Sequence, residues 1–290
     1  MRAPVLDLTS LTEPVTAEEV SVHRRDAVAR GEAPSTGALL RRVGVPAVTA
    51  LVALVALVVV AATGRPAWTV VVALLVALVG TLSAVRTAAA SRRSWRTWAV
   101  LDRFATRNGL RLVPEYAAPA DLAVQLRRGK QRRRTEWIRF PGDRIQVANH
   151  RYSVTSGGGD ARSTSVYRVG LVVVRLDRAG PRLVIDAMEH DRHRRATGSH
   201  APRGALDQVV LQRPDFDRSY RLYLQAGTGQ EAMAALSTRL VDALAAAAAT
   251  GTPWDLEVVE GTAYFMQPRF LDLTDPATWR RITDLVAAVG

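Results

Sequence analysis

Glu189, His190, Asp191, His193 and His200 crowd one short stretch, and imidazoles with carboxylates are metal ligands. Arg192, Arg194 and Arg195 are interleaved with them and would repel a cation, and the spacing matches no standard zinc pattern, so an exposed loop is expected and no metal. Gly157, Gly158, Gly159 and Asp160 form a glycine-rich link. A phosphate cradle needs a following Gly-Lys-Ser/Thr and a helix, or a G-x-G-x-x-G that opens one; neither follows, and a hairpin loop is expected. Two acidic pairs, Asp215 with Asp217 and Asp255 with Glu257, would serve acid and base chemistry if buried in a cleft. Strand alternation instead points Asp255 and Glu257 to solvent, and Asp215 after Pro214 reads as turn chemistry. There is no cysteine, so thiolate chemistry and disulfides are excluded, and Lys130 is the only candidate for Schiff-base chemistry. No G-x-S-x-G elbow, H-E-x-x-H helix or kinase signature is present. The expectation is no catalytic residue, no metal and no cofactor.

The densest feature is basic: Arg127, Arg128, Lys130, Arg132, Arg133 and Arg134, in a chain of net charge +12. Anionic headgroups attract such a segment by about 1 kcal/mol per residue close to the surface, so these six are the expected contacts for anionic lipid. The bland alternative is a solvated loop. Nucleic acid is disfavoured because no recognisable reading motif accompanies the charge.

Stepping outward along the chain, Val43–Thr63 carries no charge over 21 residues and Ala67–Val85 none over 19, with only Gly64, Arg65 and Pro66 between. At 1.5 Å per residue each would be about 28–31 Å long as a helix, the thickness of a hydrocarbon core, so the spacing predicts a two-pass transmembrane hairpin, residues 43–86. Arg41 and Arg42 before it and Arg86, Arg92, Arg93 and Arg96 after it outnumber Arg65 in the turn, which places both termini in the cytoplasm of a bacterial inner membrane. No ionisable residue lies within either span, so the hairpin reads as an anchor and the lipid bilayer as its partner. Residues 1–42 balance their charges and carry Pro4, Pro14 and Pro34, a tail with little to bury and largely disordered.

Residues 87–290 then form a helical stalk and a soluble domain. Trp95, Trp98, Leu101 and Ala105 make an apolar helical stripe, stopped at Asn108–Gly109. Ile145–Val154, Val166–Leu176 and Leu183–Met188 read as antiparallel strands, with Val209–Gln212 and Tyr220–Gln225 as further candidates. Thr228 with Glu231 reads as a capping box opening one helix through Met233, Leu236, Leu240 and Leu244 to Gly251. Trp254–Met266 reads as a half-buried hairpin turning at Glu260–Gly261, and Asp275–Pro276 opens a last helix carrying Trp279, Ile282, Val286 and Val289. Strands and helices do not alternate regularly, so the fold class is α+β: a helical hairpin followed by mostly antiparallel strands with packed helices.

LDRFATRNGLRLVP, VANHRYSVTSGGG, RVGLVVVRLD followed by LVIDA, PDFDRSYRLYLQ and AYFMQPRFLDL resemble an uncharacterised actinobacterial family of two-pass membrane proteins with a cytoplasmic domain of unknown function. The likeness covers roughly residues 95–290 and departs in the basic loop Glu189–His200. It implies architecture and source, and brings no activity, cofactor or site residue. Together these readings lead to a membrane-anchored cytoplasmic binding, scaffold or regulatory protein without enzymatic activity, its partner a membrane or cytoplasmic protein or anionic headgroups. The rivals are a membrane-bound enzyme such as a hydrolase, gathering Asp215, Asp217, His150 or His190, and an accessory subunit of a membrane complex.

Overall fold

The computed structural model describes residues 4–30, 67–117, 123–127, 129–156, 163–190 and 206–289. The chain divides into two compact units, one of Met1–Glu13 with Leu101–Gly290 and one of Pro14–Val100. Among the described residues the larger has nine strands: β1 (Arg111–Ala117), β2 (Lys130–Arg139), β3 (Ile145–Ser156), β4 (Ser163–Arg175), β5 (Leu183–Ala187), β6 (Leu206–Val209), β7 (Tyr220–Gln225), β8 (Asp255–Val259) and β9 (Thr262–Gln267). They form one sheet in the order β1-β2-β3-β4-β9-β8-β5-β7-β6, and every pairing is antiparallel. The β8–β9 turn places Glu260 and Gly261 at φ 49° and 69°, the left-handed pair whose twist suits a two-residue hairpin.

Seven α-helices are described: α1 (Thr9–Thr12), α2 (Ala17–Ala29), α3 (Ala67–Arg107), α4 (Pro214–Asp217), α5 (Gly229–Ala235), α6 (Thr238–Ala249) and α7 (Pro276–Val289). One sheet face carries an unbroken cross-strand row, Val147, Val172, Phe265, Leu256, Ile185 and Leu222, all buried. Tyr220, two residues from Leu222 and so on the same face, donates to the Leu244 carbonyl of α6 at 3.0 Å. α6 is tied in turn to α7, where Ser237 Oγ donates to the Ala288 carbonyl at 2.9 Å. Phe104, in the last turns of α3, packs on Trp279 of α7 with ring centroids 4.6 Å apart. The other face is apolar too: Tyr152, Leu171, Val173, Tyr264 and Met266 form a buried cluster with Ala123 and Leu126 laid over it. Burial on both faces is the architectural fact that fixes the fate of the polar residues described below.

The transmembrane expectation is corrected. Val43–Thr63 lies outside the described residues, and among those described no helix is long and apolar enough to cross a membrane. Ala67–Val85 is instead the first half of α3, a continuous helix of 41 residues that runs on through Arg86, Arg92, Arg93, Arg96, Arg103 and Arg107. The expected end of the second span at Val85 is no helix end: the backbone continues as helix for 22 residues beyond it, through a basic segment. The two-pass hairpin, the anchor and the multi-pass inner-membrane location lose their support, and with them the reason to assign both termini to the cytoplasm. The helix does stop where expected: Leu110 N donates to the Ala105 carbonyl at 2.8 Å, and Gly109 takes φ 63°, a glycine-closed C-terminus.

Residues 4–30 contain helix. Thr16 and Glu19 cap α2 reciprocally, Glu19 N donating to Thr16 Oγ1 at 3.2 Å and Thr16 N to Glu19 Oε2 at 2.7 Å. Within that unit Trp95 receives the edge of His23 at 6.3 Å and the guanidinium of Arg24 at 5.7 Å. In the larger unit Asp7 and Asn108 are paired, Asp7 N donating to Asn108 Oδ1 at 2.7 Å, and Arg107 grips both Glu13 oxygens at 2.7 Å each.

The helix expected from Thr228 to Gly251 is two helices. Thr228 Oγ1 donates to the Gln225 carbonyl at 2.8 Å and caps nothing, whereas Ser237 accepts from Leu240 N at 3.1 Å and starts α6. A serine that caps stops the preceding helix as effectively as it begins the next.

Candidate functional site

Asp255 and Glu257, expected in water, are 5% and 3% exposed. Their alternation was read correctly, with both on the face opposite Leu256, but that face is covered: Asp255 stands beside Met266 and Glu257 beside Tyr264. Each carboxylate is held. Arg182 donates to Glu257 Oε1 through Nη2 at 2.7 Å and Nε at 3.1 Å. Asp255 Oδ1 accepts from the Ala187 N–H at 2.9 Å, and its Oδ2 lies 3.1 Å from His190 Nδ1 without hydrogen-bond geometry. Asp186 is buried directly across from Arg221 on β7. The nearby Tyr220 hydroxyl accepts from Trp254 N at 3.4 Å, and burial holds its proton on well beyond the usual phenol range.

The residues expected for a hydrolase are not gathered. Asp215 is exposed, and Asp217 accepts from Leu211 N at 3.2 Å and Arg213 N at 2.7 Å, which is turn chemistry. His190 belongs to the β5–β8 cluster. His150, on β3, is separated from β8 by β4 and β9. Asp191, His193 and His200 lie outside the described residues, as does the Gly157–Asp160 link. Among the described residues no group of three potential ligands could hold a metal ion.

The basic segment is strand rather than loop. Arg127 is exposed at the end of a single turn, Arg128 lies outside the described residues, and Lys130–Arg134 open β2, an interior strand paired on both sides. β2 is bulged twice, between Lys130 and Arg133 and between Thr135 and Ile138, with Gln131 and Glu136 at φ 52° and 51°. Each bulge sets three residues of β2 against two of β3, which resets the alternation. The cations are thereby divided between faces. Arg134 turns inward and is 1% exposed, stacked 5.3 Å from the Trp137 ring and donating to Gln146 Oε1 at 3.3 Å. Its cross-strand neighbour His150 is fully buried, and neither ring nitrogen has a hydrogen-bond partner among the described residues. Burial first, then the charges of Arg134 and Arg132, push the His150 pKa down to about 4.

Arg133 turns the other way, and register carries its charge across the sheet. It stands opposite Arg151 on β3, and Arg151 stands opposite Arg168 on β4; all three are exposed. Lys130, in register with Ser153, adds a fourth exposed cation two positions along that face. The other border is a strap, residues 269–271, that crosses β4 at Gly170, where an added Cβ would meet Leu271 Cγ at 2.6 Å and the Arg269 carbonyl at 2.8 Å. Asn149 pins the strap with both ends of its amide, Oδ1 accepting from Leu271 N at 2.7 Å and Nδ2 donating to the Leu271 carbonyl at 2.9 Å. The same Nδ2 reaches Glu136 Oε2 at 2.6 Å, while burial of that carboxyl raises its pKa. So held, the strap brings Phe270 within 5.7 Å of the Arg168 guanidinium and leaves the ring 37% exposed.

Like charges directly opposite on neighbouring strands repel. Arg151 has no ion pair or side-chain hydrogen bond among the described residues, and Arg168 has only its ring contact. The site is therefore an open basic platform with one aromatic edge. Only Arg133 of the three arginines belonged to the basic run in the sequence; Arg151 and Arg168 join it through strand register, for which a linear reading has no signal.

No family model matches the chain, and no curated protein and no solved structure matches it.

Proposed function

We propose that the protein is a non-enzymatic binding protein that engages a polyanionic partner across the arginine row of β2, β3 and β4, in a scaffold or regulatory role. The observation that carries this reading is Arg133, Arg151 and Arg168 side by side and exposed on three adjacent strands. Such a row destabilises the free protein and gains on meeting a chain of anions, which displaces counterions and relieves the repulsion together. The carboxylates that would serve catalysis are engaged with Arg182 and the Ala187 N–H. Arginine suits the proposed task because its planar fork bonds phosphate and sulfate oxygens two at a time.

The test is retention on immobilised heparin with elution by salt. The variant Arg151→Glu/Arg168→Glu should elute at much lower salt than wild type, with the slope of log affinity against log salt reduced by about one per arginine removed. Arg178→Glu, an exposed loop position, makes the same kind of charge change elsewhere and should elute close to wild type. Equal losses from the row and loop variants, compared per charge reversed, would mean that net charge alone drives retention and would overturn the proposal.

A further inference from the structure

A second recessed surface lies away from the arginine row, between α6 and α7, with a volume of about 460 Å3. Sites for small molecules occupy roughly 300–1,000 Å3. One wall is Ala243, Ala246 and Ala247 of α6, whose short side chains leave the space between the helices open. The facing wall is α7, with Ala277 and Leu285 supplying apolar surface.

Two features make this more than a gap between helices. Trp254, the residue before β8, also lines it, and this residue is 2% exposed with its indole Nε1–H lacking any acceptor among the described residues. The N–H itself is closed off from the groove, so Trp254 offers a ligand apolar ring surface and a resonance that reports occupancy. The second feature is charge. Arg280 and Arg281 line the α7 side; the Arg280 side chain makes no ion pair or hydrogen bond among the described residues, and that of Arg281 donates only to Thr278 Oγ1 at 3.2 Å. Asp284 shares that wall, so the three charged groups leave one net positive charge. A single negative charge fits that balance better than two.

We propose that the α6–α7 groove binds a small monoanionic amphiphile, a carboxylate on a short apolar body, with the body along the alanine wall against Trp254 and the headgroup at Arg280. This site is independent of the polyanion platform and would stand if that reading failed.

The experiment titrates the full-length chain with octanoate, and separately with octylamine, while following tryptophan indole N–H resonances by NMR. The chain has six tryptophans, and loss of one resonance in Trp254→Phe assigns the relevant signal. Octanoate should move the Trp254 resonance saturably and octylamine should not. Arg280→Glu should weaken octanoate by about tenfold or more, the loss expected for a charge-assisted hydrogen bond. Ala246→Leu, at an exposed helical position, should fill the groove and abolish the shift while the other five indole signals stay in place. Arg151→Glu should leave octanoate binding unchanged, which separates this site from the arginine row. Equal response to octylamine, wild-type affinity in Ala246→Leu, or no saturable shift with octanoate would each overturn the proposal.

Discussion

Around β8, Glu257 takes Arg182 at 2.7 Å and Asp255 takes the Ala187 N–H at 2.9 Å, and the two carboxylates are nearly sealed from water. Across β2, β3 and β4, Arg133, Arg151 and Arg168 stand together at the surface with like charge beside like. Both groups sit on the same sheet and are set by the same register rules, yet one is held by donors and dry, the other places like charge beside like and is wet. Matched, buried charges specify a structure and are costly to break. Exposed like charges on neighbouring strands cost the free protein a little and retain their attraction for an anion. The first group holds the fold, and the second is where an external partner gains.

The sharpest way to break this contrast is at Asp255. Asp255→Ala strands the Ala187 N–H and removes the carboxylate beside His190, and we expect a loss of up to about 3 kcal/mol by urea unfolding, the cost of a buried donor without an acceptor. Asp255→Asn keeps an acceptor for Ala187 and should lose clearly less. If the two variants unfold alike, the buried group is not doing what its contacts indicate.

Next in size is a pH effect at His150. Its folded pKa of about 4 lies below the ordinary 6.5, so between those values the unfolded chain takes up a proton that the folded chain refuses. Stability from this group is full above about pH 6.5, falls as pH drops towards 4, and falls no further below; a shift of this size is on the order of 3 kcal/mol. Glu136 works in the opposite sense, because burial raises its pKa and its contribution is lost as pH rises. His150→Leu isolates the first effect: its unfolding free energy should vary with pH less steeply than wild type over that window. An unchanged slope would remove His150 from the account.

Gly170→Ala acts on the boundary of the arginine row without touching charge. The added methyl would press on Leu271 and the Arg269 carbonyl, and overpacking of this kind costs about 1–3 kcal/mol. Displacing the strap moves Phe270 away from Arg168, so heparin retention should fall even though every arginine remains. Retention at the wild-type level in a destabilised Gly170→Ala protein would limit the site to the arginines alone.

Much of the β framework was legible because β-branched residues mark β3, β4 and β5, and because Glu260–Gly261 is a strong hairpin turn. β1 and β2 were not, since β2 begins in a run of cations that resembles a solvated loop, and two bulges at Gln131 and Glu136 scramble its alternation. The burial of Asp255 and Glu257 was missed because period two gives the face of a residue but not whether a second layer covers that face. The span expected over Ala67–Val85 and the helical stalk expected after it are one helix, because nothing between Val85 and Trp95 breaks the backbone. The arginine row itself is non-local, assembled from three strands by register, and so is the α6–α7 groove, to which Trp254 comes from the loop before β8.

The smallest expected effect is also the one that separates the two regions most directly. Thermal unfolding of wild type and Arg151→Glu, each with and without heparin, reads stability and partner response in the same experiment. Replacing the middle charge of the row relieves two repulsions, so Arg151→Glu alone should melt slightly higher than wild type, a gain of about 0.2–1 kcal/mol. Heparin should raise the melting temperature of wild type and leave that of Arg151→Glu nearly unmoved. A variant that melts lower than wild type and still gains as much from heparin would contradict the account at its centre.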